Sequence, residues 1–171
     1  MRPEPPPFDK AFDPNQRRDA RGRWASGGGA DGAQGIRQAI AHAIGPQDGR
    51  NHRSSLGPVK NADHIREATG IDIAGFERTI DSNDVRHALK SHGDAEVEAN
   101  RRPPQKALTP ADIALVPTVI ASAHTVEARV ATKKHPASIR YIARISGNEL
   151  TYVENVRTAR RQVAFKSMWK R

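Results

Sequence analysis

The chain has 171 residues, room for one domain, but only 36% are hydrophobic and the aromatics are four Phe, two Trp and two Tyr, so a core occupies part of the length. There is no Cys, which excludes disulfides and thiolate metal sites, and no apolar run approaches the roughly 20 residues of a membrane-spanning helix. The formal charge is +9, concentrated beyond residue 35. The last fifteen residues hold Arg157, Arg160, Arg161, Lys166, Lys170 and Arg171 and no acid, a field that attracts polyanions.

Pro3, Pro5, Pro6, Pro7, Pro14 and the run Ser26-Gly27-Gly28-Gly29 leave residues 1–35 too poor in apolar surface to offset their chain entropy, so a disordered tail or linker is expected there. Met1–Pro7 has no apolar stretch of the secretory type, which points to a soluble, cytoplasmic product. Residues 36–53 read as a short helix and a linker: Ile36, Ile40, Ala43 and Ile44 have helical spacing, and Gly45-Pro46 ends it. The remainder, 54–171, reads as one folded domain.

Within that domain, Asn61–Thr69 forms a short helix stopped by Gly70, and the segment from Ile71 to Ile80 a turn or short strand. Residues 82–92 make a helix with Asp81 or Ser82 as N-cap, Asp84 in the first turn, Val85, Ala88 and Leu89 as apolar stripe, and Gly93 as stop. Thr109, Pro110 and Asp112 open a further helix that carries Ile113, Val116, Val119 and Ile120. Asn100–Gln105 between the two is an exposed polar loop.

Beyond residue 124 the period changes to two. Val126, Ala128 and Val130 form one alternating set and Ile139, Tyr141, Ala143 and Ile145 another, with a turn at Gly147-Asn148. Leu150–Val156 and Gln162–Trp169 supply two more strands. The expectation is an α+β fold, with N-terminal helices packed on a four-stranded antiparallel meander sheet.

The densest polar cluster is Arg86, His87, Lys90, Ser91 and His92 on helix 82–92. Asp84, His87 and Ser91 share one face, while His92 falls near the apolar stripe. His87 is thus placed to project toward a cleft. His92 reads either as a hydrogen-bonded core histidine or as a site residue. Their i, i+5 spacing does not converge on one metal ion. On strand 162–169, Val163, Phe165, Ser167 and Trp169 point one way and Lys166 and Met168 the other, so Ser167 interrupts an apolar face and needs a hydrogen-bond partner. Arg140, Glu154, Lys166 and Lys170 complete the polar inventory of the strands. Cleaving a phosphodiester beside a 2′-hydroxyl requires a proton acceptor, a proton donor and cations around the phosphorane, and these side chains supply all three without a metal or cofactor.

Leu56–Val59, Ala68–Asp72, Val85–Asp94, Leu108–Ile113, Tyr152–Glu154 and Ala164–Lys170 resemble the phage nuclease domains of the barnase–EndoU–colicin–RelE-like superfamily, most specifically in the His87…His92-Gly93 segment and the Thr109-Pro110-Ala111-Asp112 helix start. The resemblance implies metal-independent RNA cleavage at a helix–sheet cleft. It makes His87 and His92 the acid/base candidates, with Ser167 and Glu154 completing the catalytic set and Glu154 as an orienting group. Arg140 and Lys170 would hold phosphate, joined by Arg86, Lys90 and Lys166. Asn100-Arg101-Arg102-Pro103 departs from the acidic-Arg-Gly stretch common at that place in the family.

Phe12–Trp24 is similar to a short charged peptide that recurs in phage head-associated proteins. The leading expectation is therefore a ribonuclease acting as a phage-encoded toxin or effector in the bacterial host cytoplasm, or carried in the virion. Its partners would be tRNA or another structured RNA, an immunity protein or a phage head protein, and no membrane. A non-catalytic nucleic-acid-binding or virion-associated module is the alternative, and another nucleotide chemistry on the same fold a third.

Overall fold

The computed structural model describes residues 32–171, so the tail expected over 1–35 lies outside the described residues as far as residue 31, and the Phe12–Trp24 peptide wholly so. The chain opens with α1 (Gly32–Ile44), which buries Gly35, Ile36, Ala39 and Ala43 at helical spacing. Gly35 lies so close to the next strand that a Cβ there would stand 2.2 Å from the Ser55 carbonyl oxygen. This segment joins β1 (Arg53–Pro58), α2 (Ala62–Thr69), β2 (Glu77–Asp81) and α3 (Ser82–His92) in sequence. Gly70 ends α2 at φ 75°, a left-handed position that glycine adopts freely.

Two short helices follow, α4 (Ala95–Ala99) and α5 (Pro110–Ala114). Asp94 caps α4 by accepting from the backbone N–H groups of Glu96 and Val97, and Thr109 and Asp112 close the expected capping box on α5. The single helix expected from Pro110 onward is two: α5 ends at Ala114, and α6 (Val116–Ser122) starts afresh with Pro117, which has no N–H to continue the ladder.

The strands β3 (Thr125–Arg129), β4 (Ser138–Ile145), β5 (Asn148–Arg157) and β6 (Gln162–Lys170) complete the fold, with a 3-10 turn at Thr158–Arg160. The β4–β5 turn falls one residue earlier than expected, on Ser146 (φ 50°) and Gly147 (φ 76°). Two positive φ values in succession match the twist of a hairpin.

The sheet corrects the four-stranded expectation. The antiparallel meander β3–β4–β5–β6 is present, but β1 and β2 extend it to six strands in the order β1-β2-β6-β5-β4-β3, and β2 runs parallel to β6, making the sheet mixed. Two polar residues hide β2 in the sequence: Arg78 and Asp81 are buried in it with partners that only the folded chain supplies. β1 lacks alternation and carries Gly57 and Pro58.

β6 also departs from unbroken strand alternation. Val153 pairs with Ser167 and Glu154 with Phe165, so Lys166 is an extra residue in a β-bulge. A bulge shifts every later side chain to the other face. Val163, Phe165 and Met168 therefore face the core, whereas Ser167 and Trp169 face the opposite side. Ser167 does not interrupt the apolar face.

The core joins Ile139, Tyr141, Leu150, Tyr152, Phe165 and Met168 of the sheet to Ile36, Ile65, Val85, Ile113, Val116 and Val119 of the helices. Inside it, Arg78 reaches across β6 and donates to both oxygens of Glu154 at 2.9 and 3.1 Å, while the hydroxyls of Tyr141 and Tyr152 donate to the same carboxylate at 2.6 and 3.0 Å. Burial works against the Arg78 charge, but Glu154 outweighs it and holds the guanidinium proton more firmly than usual. Burial and the Glu154 charge push both tyrosine hydroxyls well up. Three strands, β2, β4 and β5, are thereby tied together across β6 by one satisfied polar cluster.

Candidate functional site

α3 follows β2 without a break and packs along β6 and α1. Its buried residues Ser82, Val85 and Ala88 turn inward, as their spacing requires. Asp81, at the junction, does not cap the helix with its side chain. Arg53 donates to it at 2.7 and 2.9 Å and Arg157 at 3.4 Å. Burial works to raise the Asp81 carboxyl, but these two guanidinium groups hold it below the ordinary carboxylate range. One turn on, burial and then the Asp81 charge push Asp84 up, while Arg157, Lys166 and His87 pull it back. His87 and Lys166 thus belong to one electrostatic cluster with Asp84. His87, Lys90 and Lys166 are exposed.

At the end of α3 the His92 ring is oriented from below. Its Nδ1 lies 3.2 Å from a carboxylate oxygen of Glu98, a residue with 0% exposure, and the other oxygen accepts from Arg101 Nε at 2.6 Å. Arg101 also donates to the Ser91 carbonyl at 2.9 Å, which ties this loop to the helix. Nε2 makes no hydrogen bond to a described residue, and the imidazole, 16% exposed, lies 6.1 Å from the Trp169 ring. Sequence reasoning missed Glu98 and Arg101. The signal that could have found them is their i, i+3 spacing just after a helix stop.

The bulge puts Ser167 and Trp169 on the open face of the sheet. Ser167 is partly buried opposite Val153. Arg140 is opposite Val153 on the other side and forms an exposed ion pair with Glu127. A groove of about 400 Å3 runs there, bounded by Glu127, Arg129, Arg140, Val153 and Trp169.

Three expected site residues are engaged elsewhere. Glu154 has 0% exposure and spends its oxygens on Arg78, Tyr141 and Tyr152. Lys170 donates to Asp112 at 2.7 Å. Arg86 donates to the carbonyls of His42 and Ala43 and to the Asn83 side chain, covering the C-terminal end of α1. α3 packs along β6, where His87 and Lys166 both act on Asp84 and the His92 ring lies near Trp169, although the two imidazoles leave the helix on different sides. Among the described residues no group of three or more His, Asp or Glu side chains is placed to hold a metal ion, and no helix is long and apolar enough to cross a membrane.

A family model described as phage-Barnase-EndoU-ColicinE5/D-RelE like nuclease3 matches residues 58–171. The chain belongs to this nuclease family. The match bears out the family resemblance seen in the helix 82–92 and Thr109–Asp112 segments, and it takes in α2 to α6 and β2 to β6. α1 and most of β1 precede it. No match was found among curated proteins or among solved structures.

Proposed function

We propose that this nuclease cleaves RNA by attack of the 2′-hydroxyl, with its own side chains moving the protons. The observation that carries this reading is the His92–Glu98 contact: a buried carboxylate engages Nδ1 and leaves Nε2 free at the surface, the arrangement that fixes the tautomer and orientation of a proton-transferring imidazole. His87, in the charge cluster with Lys166, supplies the second titratable group.

One imidazole takes the 2′ proton as the 2′ oxygen attacks phosphorus, and the other, on a different side of the helix, gives a proton through a bridging water to the 5′ oxygen as its bond to phosphorus breaks. The products are a 2′,3′-cyclic phosphate and a free 5′-hydroxyl. Lys166 and Lys90 face the charge that builds on the phosphorane, with Ser167 as a donor beside the bulge. Such an enzyme suits a phage-encoded toxin or effector that acts on tRNA or other structured RNA in the host cytoplasm, either restrained by an immunity protein or carried with a head protein.

The test is to incubate the protein with total bacterial RNA in EDTA, alongside His87→Ala and His92→Ala. Fragments ending in cyclic phosphate, lost in the variants, support the reading. Intact RNA with salt-sensitive binding would favour the non-catalytic binding module.

A further inference from the structure

We infer that the groove on the open face of the sheet is a subsite for an unpaired nucleobase, which stacks on Trp169 while Arg129 and Arg140 take the adjoining phosphates. That the ligand is RNA rests on the nuclease reading above.

The bulge at Lys166 decides which face of the sheet carries Trp169. Without it Trp169 would face the core with Phe165; with it, the indole stands partly exposed on the open face, beside a groove of about 400 Å3. That volume is within the range of about 300–1,000 Å3 typical of ligand sites. Val153 and Ala128 are the aliphatic contribution to the lining, and Arg129 and Arg140 are cationic. Glu127 partly offsets Arg140, but both members of that pair are exposed, 46% and 45%, so a phosphate can take the place of the carboxylate at little cost. Beyond the groove the β3–β4 loop carries Lys133, Lys134 and His135, all exposed, which extends the cationic track past Arg129.

An aromatic ring flanked by arginines on an open sheet face is the combination that holds single-stranded nucleic acid. A base within a duplex presents no free ring face, so the subsite selects unpaired nucleotides. Trp169 also connects the groove to the proposed chemistry, since the His92 ring lies 6.1 Å from it. A nucleotide stacked there leads its backbone toward His92 and Ser167.

Tryptophan fluorescence of the full chain tests this. Trp24→Phe leaves Trp169 as the sole indole. The probe is a single-stranded 2′-O-methyl oligouridylate, which has no 2′-hydroxyl to cleave, with inorganic polyphosphate as the charge-only control. We expect the oligonucleotide to quench Trp169 and polyphosphate to leave it unchanged. Trp169→Ala is expected to weaken binding about 5- to 150-fold, with Trp169→Phe retaining most of it.

Equal quenching by polyphosphate, or none by either, overturns the subsite even if Trp169→Ala fails to fold. Cleavage of RNA without quenching overturns the subsite alone. Quenching without cleavage keeps the subsite and overturns the nuclease reading.

Discussion

His92 Nδ1 and a Glu98 carboxylate oxygen meet at 3.2 Å, at the point where α3 ends and solvent no longer reaches the acid. If this contact positions the imidazole, Glu98→Gln should lower kcat for RNA cleavage about 100-fold or more and leave KM nearly unchanged, the scale of general acid–base catalysis. A merely structural role would lower the amount of folded protein instead, so kcat is to be taken per folded molecule after a urea titration. Glu98→Gln with wild-type kcat and reduced stability would remove Glu98 from the mechanism.

Glu154 gives the opposite pattern. Its carboxylate sits in the core among Arg78, Tyr141 and Tyr152. Glu154→Ala leaves the Arg78 charge buried without its partner, and we expect a loss of about 3–5 kcal/mol in unfolding free energy. At a temperature where the variant is folded its cleavage rate should match the wild type. A folded variant without activity would return Glu154 to the catalytic set.

How much of this was legible in the sequence depended on whether a residue's role is local. Helix 82–92 was read to the residue because its stripe and stop are encoded within eleven positions, and the Thr109–Asp112 box because its partners are three apart. β2 was only half seen, since Arg78 acquires its partner Glu154 from 76 residues away. The face of Trp169 was misread because strand alternation assumes an unbroken ladder, and nothing in Phe165-Lys166-Ser167 marks the extra residue. Glu98 was missed because it falls in a polar stretch whose burial depends on how α4 folds back on His92.

Asp81 and Asp84 should pull the pH dependence of stability in opposite directions. The Asp81 carboxyl is held below its ordinary value, so its contribution is fully present above the unfolded value of about 3.9 and is lost as pH falls through the folded one. Asp84 is raised, so the folded state disfavours its charge, and the penalty grows as pH rises from about 3.9 through the folded value. Asp81→Asn should therefore lower the urea midpoint at pH 7 and converge with the wild type in acid. Asp84→Asn should raise the midpoint at pH 7, with a difference that disappears near the acid limit. Parallel profiles for the two variants would contradict this assignment.

Lys166 and Lys170 lie on one strand, and the bulge beside them gives them different work. Lys166 is exposed at the bulge, whereas the Lys170 ammonium lies 2.7 Å from Asp112 with both side chains largely covered, 13% and 14% exposed. A cation that meets a phosphate releases counterions, so Lys166→Ala should weaken binding to single-stranded RNA and reduce the slope of log affinity against log salt by about 0.7. Lys170→Ala removes the partner of a carboxylate that also caps α5, with an expected cost of about 1–3 kcal/mol in stability and no change in the salt slope. Measuring both slopes by fluorescence anisotropy separates the roles. If Lys170→Ala lowers the slope and Lys166→Ala does not, RNA runs on the other side of β6, and the groove at Trp169 is not its path.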